Sequence, residues 1–141
     1  MSDALVTVRA KNANEQLALD FFAALSTGDL DNLRPFLDEN SVWEPMVKDI
    51  PGAGRYVGNQ IIDDFLGPVR GMFAQGDPKV HVQKIFSDGD DVCVESFSDG
   101  KLQDGRVYNN RYCWTFRMNG GKIGLLREYM DSHYVATLFG L

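Results

Sequence analysis

Residues 107–131 form the stretch VYNNRYCWTFRMNGGKIGLLREYMD, and this stretch decides the fold. Its first part, residues 108–116, is rich in the aromatic residues that favour β-strands. The tripeptide Asn-Gly-Gly at 119–121 follows, and residues of these types adopt the positive φ angles that a short hairpin turn requires. A second apolar run occupies residues 123–130. The stretch therefore predicts two long antiparallel strands joined by a tight turn.

Alternation along this hairpin sorts its side chains onto two faces, because successive residues of a strand point to opposite sides of the sheet. On the first strand, one face carries Asn110, Tyr112, Trp114 and Phe116, and the other carries Arg111, Cys113, Thr115 and Arg117. On the second strand, one face carries Leu126, Glu128 and Met130. Glu128 is thus a carboxylate between two apolar side chains. We therefore take it as the first candidate for a functional residue.

The composition, with 44% hydrophobic and 24% charged residues, indicates one globular domain over residues 1–141. A formal net charge of −6 argues against nucleic acid as a partner, since that interaction needs a basic surface. No apolar run of about 18 residues indicates a membrane span, and residues 1–14 lack the apolar core of a signal peptide. Two cysteines and two histidines, without metal-binding spacing, predict reduced thiols, a cytoplasmic location and no metal site.

Apolar residues recur at helical spacing in the first half of the chain. A lead-in without regular structure is expected over residues 1–11, and a helix over 14–27 ends at a glycine. A second short helix is predicted at 30–37. A third begins at residue 59, and the Gly-Pro pair at 67–68 is expected to kink or break it. The last residues of the chain predict a short closing helix.

Strand patterns precede the hairpin. A short strand is predicted at 41–44, and two longer ones at 79–86 and 91–97, separated by Asp-Gly-Asp. Helices followed by consecutive antiparallel strands are typical of an α+β fold in which the helices cover one face of a sheet.

Four local sequences, in this order, resemble the SnoaL-like and ketosteroid-isomerase-like superfamily, also called nuclear-transport-factor-2-like. They are FFAALSTGDLDNLRPFL, NSVWEP, RYVGNQIIDDFL and YNNRYCWTFRMNGGKIGLLREYMD. The resemblance extends over about residues 14–134 and implies that these form the core of the domain. The resemblance implies a cone-shaped α+β fold, in which N-terminal helices pack on a strongly curved, mainly antiparallel sheet and enclose a deep apolar pocket. It also implies a homodimer formed through the sheet.

The resemblance places only some of the family's functional residues. The general base of ketosteroid isomerases falls on Glu44, but their two oxyanion donors fall on Phe21 and Trp114. Glu128 matches the acid–base carboxylate of limonene-epoxide hydrolases and the glutamate of phenazine-biosynthesis A/B proteins. The residues that act together with this carboxylate in each of those families are not present at the matching positions of this sequence. We therefore expect neither steroid isomerisation nor epoxide hydrolysis by those mechanisms.

Three carboxylates are candidate catalytic residues in the pocket: Glu128, Glu44 and Glu95. An apolar pocket raises the pKa of a carboxyl group and so prepares it to take and return a proton near neutral pH. The candidate substrate-binding residues are Trp43, Tyr56, Phe65, Asn110, Tyr112, Trp114 and Met130. The hydroxyl and amide groups among them can donate hydrogen bonds to a developing oxyanion, and the others can form aromatic and apolar walls.

These residues predict a cofactor-independent enzyme that carries out carboxylate acid–base chemistry on a small hydrophobic cyclic or aromatic substrate. Isomerase, lyase or dehydratase, cyclase and hydrolase reactions all remain open. The alternative is a non-catalytic small-molecule-binding or dimerisation module of the same fold, in which Glu128 forms a structural ion pair and Glu44 ends a strand at the surface. Whether the two glutamates face one cavity discriminates between these hypotheses.

Overall fold

The structure is a computed structural model that describes residues 8–141, so most of the predicted lead-in, residues 1–7, lies outside the described part. The first helix, α1, spans Ala13–Leu25. It begins there because the Asn12 side chain accepts the backbone N–H of Glu15 at 2.9 Å, as a helix-capping asparagine does. The predicted first helix is therefore confirmed.

Two further helical segments begin at aspartates that cap them. A 3₁₀ helix, Leu30–Phe36, follows Asp29, and the closing helix, α3 (Ser132–Leu138), follows Asp131. The Asp131 side chain accepts the N–H of Tyr134 at 3.0 Å. Across the described part of the chain, no helix is long and apolar enough to cross a membrane.

The predicted third helix changes its type in the middle. One turn of π-helix, Ile61–Leu66, runs directly into an α-helical turn, α2 (Gly67–Arg70). The N–H of Gly67 donates to the carbonyl of Ile62, five residues back, which is the π-helical pattern. Pro68 lies in the first turn of α2, a position in which proline is common. The expected break at Gly67-Pro68 is thus a change of helical pitch.

One curled sheet covers these helices. Its strands are β1 (Val42–Pro45), β2 (Tyr56–Val57), β3 (Lys79–Asp88), β4 (Asp91–Lys101), β5 (Val107–Tyr108), β6 (Arg111–Asn119) and β7 (Lys122–Met130). Their order is β2-β1-β7-β6-β4-β3, and β5 pairs with β4. The pairs are antiparallel except β1 with β7, which are parallel. The helices and the mixed sheet form the α+β cone that the resemblance implies.

The predicted hairpin is the pair β6 and β7. Gly120 and Gly121 form its two-residue turn with φ angles of 56° and 85°, which only glycine adopts readily at both positions. Below the turn, Trp114 lies opposite Glu128 and Phe116 lies opposite Leu126.

The sheet has an inner face, which packs against the helices, and an outer face on its other side. On the inner face of β6 and β7 the buried side chains include Trp114, Phe116, Leu126 and Glu128. Arg111, Thr115, Arg117 and Arg127, on the outer face, are exposed. The predicted alternation is confirmed. Phe21 and Phe22 of α1 pack edge-on against Phe116 with ring centroids 5.9 and 5.6 Å away, which closes the core at one end of the cone.

Candidate functional site

A pocket lies between the inner face of the sheet and the segment that contains the π-helical turn. The empty space within it, counting its open mouth, is about 770 Å³. Its walls are mainly apolar and include Trp43, Phe65, Leu66, Val69, Phe73, Trp114 and Met130. Five polar side chains also line it: Arg70, Ser98, Tyr108, Tyr112 and Glu128. An apolar cavity with a few converging polar groups is the usual form of a small-molecule site.

Glu128 is the carboxylate of this pocket. Strand β7 directs it inward, opposite Trp114 on β6, and its exposed fraction is 8%. Its Oε1 atom accepts a hydrogen bond of 2.9 Å from Nε1 of Trp43, on the neighbouring strand β1. Within residues 8–141 this is the one hydrogen bond that the carboxylate accepts. The second oxygen, Oε2, is therefore available to a ligand.

Burial decides the protonation of Glu128. Removal from water raises the pKa of its carboxyl group to about 7, although the hydrogen bond from Trp43 and the charge of Arg70 lower it. Desolvation dominates because a charged carboxylate loses much of its hydration in an apolar cavity. A group with this pKa is present in both forms near neutral pH, so it can accept a proton and donate one.

Two tyrosines form the second polar element of the pocket. The hydroxyl groups of Tyr108 and Tyr112 lie 2.7 Å apart, and Nδ2 of Asn110 donates to the Tyr108 oxygen at 3.1 Å. Burial raises the pKa of Tyr108 to about 12 and the pKa of Tyr112 well above its usual value, so both stay protonated at neutral pH. Tyr108 can donate its hydrogen to Tyr112, which leaves the Tyr112 hydroxyl hydrogen for a ligand.

The predicted binding residues divide into two groups. Trp43, Phe65, Tyr112, Trp114 and Met130 line the pocket. Tyr56 and Asn110 lie behind its walls. The Tyr56 ring stacks on Phe65 at 4.7 Å, and its hydroxyl donates to the carbonyl of Ala53 at 2.8 Å. Asn110 is buried and holds Tyr108. The structure therefore gives these two residues supporting positions, and neither can reach an oxyanion in the pocket.

The prediction that Glu44 and Glu95 share the pocket with Glu128 is wrong. Glu44 follows the inward-facing Trp43, so strand alternation turns it to the outer face. There its Oε1 accepts a hydrogen bond of 3.3 Å from Nε of Arg127. Glu95 is exposed on the outer face of β4, opposite Cys113 of β6. Among the described residues the pocket therefore contains one carboxylate. Because Glu44 and Glu128 do not face one cavity, this criterion does not favour the enzyme over the binding module, and a catalytic hypothesis has to rest on Glu128 alone.

Arg70 and Tyr108 are site residues that the sequence analysis missed. Arg70 lines the pocket, and its guanidinium donates through Nη2 to the carbonyl of Pro78 at 2.9 Å. Partial burial lowers the pKa of Arg70. Tyr108 could have been found from the sequence, because it continues the inward alternation of Asn110 and Tyr112. For Arg70 the available signal was weaker: it is the charged residue in an apolar stretch, residues 65–73.

The cysteines and histidines lie outside the pocket. Cys93 and Cys113 are free thiols on the outer face, with Sγ atoms 3.7 Å apart. His81 stacks on Phe97 at 4.7 Å, and His133 is exposed. Among residues 8–141, no three His, Cys, Asp or Glu side chains are grouped as metal ligands would be.

The family of the chain follows from its sequence. Residues 18–124, which run from α1 to the start of β7, match the family model of the SnoaL-like domain. The chain belongs to the SnoaL-like domain family. The family that the four local sequences suggested is therefore confirmed. No protein of curated function matches the sequence of this SnoaL-like domain.

Solved structures of similar fold cover nearly the whole chain. TerC, co-crystallised with polyporic acid, superposes with a TM-score of 0.78 at 17% identity, over 91% of this chain and 98% of TerC. A ketosteroid-isomerase-like protein from Catenulispora acidiphila in complex with trimethylamine gives 0.74 at 16% identity, over 89% and 93% of the two chains. A protein from Shewanella putrefaciens assigned as a SnoaL-like polyketide cyclase gives 0.74 at 14% identity, over 98% and 91%. At these identities the likeness establishes the fold alone.

Proposed function

We propose that this SnoaL-like domain is a cofactor-independent enzyme that transfers a proton on a small hydrophobic cyclic substrate, with Glu128 as its acid–base group. The observation that carries the proposal is the state of Glu128. It is a buried carboxyl group with one hydrogen-bond donor, Trp43, and a pKa of about 7, and it faces an apolar pocket. Perturbed carboxyl groups of this kind cluster at catalytic sites.

The arrangement suits a reaction in which one group takes a proton and then returns it. The Glu128 carboxylate removes a proton from a substrate carbon next to a carbonyl group, and the electron pair moves to the carbonyl oxygen. The protonated Tyr112 hydroxyl donates to that oxygen and stabilises its negative charge. Glu128 then returns its proton at another substrate atom. Isomerisation and cyclisation need no second carboxylate, so the single carboxylate of the pocket favours them over hydrolysis.

The walls of the pocket favour a flat ring as substrate. The Tyr112 ring stacks on Trp114 at 5.0 Å, and Trp43 meets Phe65 edge-on at 5.3 Å. Planar aromatic surfaces of this kind pack well against a flat apolar ligand. The organic ligands of the TerC and Catenulispora structures support a small-molecule site in this fold.

We also propose that the protein forms a homodimer through the outer face of its sheet. That face exposes 48% of Phe86 and 39% of Tyr129, and it carries the half-buried Cys93 and Cys113. Sedimentation velocity at micromolar concentration measures the oligomeric state. We expect a dimer that Tyr129→Glu converts to a monomer. A monomeric wild-type protein would contradict the dimer and leave the proposed chemistry untouched.

The test of the catalytic proposal begins with a thermal-shift screen of hydrophobic cyclic compounds and continues with product analysis for each ligand found. A ligand at about 100 times its Kd adds about 2.7 kcal/mol to the free energy of unfolding. Glu128→Gln should lower kcat by at least about 100-fold and leave ligand affinity nearly unchanged, because it removes the proton carrier and keeps the shape. Glu44→Gln is the matched control and should retain full activity. Full activity of Glu128→Gln would refute the assignment, and binding without any product would favour a binding module.

A further inference from the structure

Arg70 is the cation of the pocket, and no carboxylate of the described residues contacts its charge. With residues 8–141 as possible partners, its guanidinium makes one hydrogen bond, from Nη2 to the carbonyl of Pro78 at 2.9 Å. Within residues 8–141, no carboxylate oxygen lies within 4.0 Å of its nitrogen atoms. The guanidinium carries five N–H donors, so four remain for other partners.

Arg70 differs from the other arginines of residues 8–141 in its burial. Arg34, Arg106, Arg117 and Arg127 each contact a carboxylate at 2.9 to 3.3 Å, whereas Arg9, Arg55 and Arg111 contact no carboxylate of the described residues. All seven are exposed to water, and Arg70 is half-buried. Arg70 is the arginine that lines the apolar pocket, where a charge loses hydration and gains most from a counter-ion. Two carboxylates, Asp77 and the pocket residue Glu128, favour the charged form of Arg70 from a distance, and neither lies within 4.0 Å of its nitrogen atoms.

We propose that the ligand of this pocket is a planar hydrophobic acid whose carboxylate binds the free N–H groups of Arg70 while its ring lies between the aromatic walls. This inference rests on the proposed function, because it names the substrate class of the same pocket. Arginine suits the role since its planar fork matches the two oxygens of a carboxylate. Arg70 fixes the acid group, and Glu128 and Tyr112 are left to act on another part of the ring system.

The experiment uses the full-length protein and two probes of nearly equal shape, 2-naphthoate and 2-naphthamide. Isothermal titration calorimetry at pH 7 measures the Kd of each. We expect the wild type to bind the acid at least 10-fold more tightly than the amide, with a preference that falls as salt concentration rises. Equal affinity for the two probes, or no binding of the acid, would overturn the inference without any need for a variant.

Variants then assign the preference to its residue. Arg70→Met keeps an unbranched apolar side chain and removes the guanidinium charge, so the acid should bind at least 10-fold more weakly and the amide equally well. Arg70→Lys should restore part of the acid's affinity. Arg117→Met, on the outer face, is the matched control and should bind both probes like the wild type. An acid preference that survives in Arg70→Met would refute the role of Arg70.

The two proposals can fail separately. Neither probe has to react, so the inference about the acid stands or falls on binding alone. A clear acid preference without turnover of any acidic ligand would refute the catalytic proposal and keep this one. Suppose instead that neutral ligands are turned over, that Glu128→Gln abolishes this turnover, and that the two probes bind equally. The catalytic proposal would then be supported, and the inference about the acid would be refuted.

Discussion

Two glutamates are buried in this chain, Glu15 at the start of α1 and Glu128 in the pocket, and their surroundings are opposite. Glu15, 1% exposed but close beneath the surface, accepts hydrogen bonds from the Lys11 N–H at 3.0 Å and the Ser87 hydroxyl at 2.6 Å, and it pairs with the Lys11 ammonium at 3.2 Å. Glu128 accepts one hydrogen bond, from Trp43.

The difference in donors reverses the sign of the pKa shift. The Ser87 hydrogen bond, with help from Lys11, lowers the pKa of Glu15 in spite of its burial. At Glu128 desolvation outweighs the single donor and raises the pKa to about 7. Burial alone therefore does not mark a functional carboxylate in this fold. A buried carboxylate with many donors is structural, and one with few donors in a cavity is available for chemistry.

The largest expected effect is that ionisation of Glu128 lowers the free energy of unfolding of the protein as pH rises. The folded state holds this proton up to about pH 7, whereas the unfolded chain releases it near the ordinary pKa of 4.5. Between these values the folded state binds more protons, so the free energy of unfolding falls as pH rises, by about 3 kcal/mol in total. Glu128→Gln lacks this loss. Urea unfolding from pH 4 to 8 measures the free energy of unfolding of both proteins. That of the variant should increase relative to that of the wild type up to about pH 7. The same pH dependence in both proteins would contradict the raised pKa.

The second effect has the opposite sign. Glu15→Gln should lower the free energy of unfolding at pH 7 by about 1–2 kcal/mol, because it weakens hydrogen bonds to a charged acceptor. The pKa of Glu15 is lowered, so its contribution is complete above about pH 4.5 and is lost as pH falls through the folded value. The same urea series measures it. If Glu15→Gln were as stable as the wild type at pH 7, the donors around Glu15 would not explain its burial.

The smallest effect belongs to the outer-face glutamate. Glu44→Gln removes the ion pair with Arg127, whose two side chains are 30% and 45% exposed. Water and salt screen such a pair, so we expect a change below about 1 kcal/mol that shrinks further in 0.5 M salt. A double-mutant cycle with Arg127→Gln measures the coupling. A coupling well above 1 kcal/mol would show that the outer face is less accessible to water than in the single chain.

Much of the fold could be predicted because its longest elements follow simple periods. Residues 119–121 fixed the hairpin turn, and alternation from Asn110 to Phe116 identified the inner face and, with it, Glu128. The same rule applied to β4 would have placed Glu95 on the outer face, since Val92 and Val94 alternate with it on the inner one.

The rest of the site depends on contacts that no local pattern contains. Strand β1 has four residues, and three of them are buried, so its sequence does not reveal which way Glu44 points. The position of Arg70 depends on the π-helical turn Ile61–Leu66, which shifts every later residue relative to an ordinary helix. The carbonyl of Pro78, which holds Arg70, lies eight residues further along the chain, in the loop that leads into β3.

The hydrogen bond from Trp43 to Glu128 gives the protein an optical indicator of its own protonation. Indole emission responds to the charge beside the ring nitrogen, and Nε1 of Trp43 lies 2.9 Å from the carboxyl oxygen. The second tryptophan, Trp114, donates instead to the hydroxyl of Ser96 at 2.8 Å, a partner that does not ionise. A fluorescence titration of Trp114→Phe would therefore follow the proton of Glu128 directly, before any substrate is known.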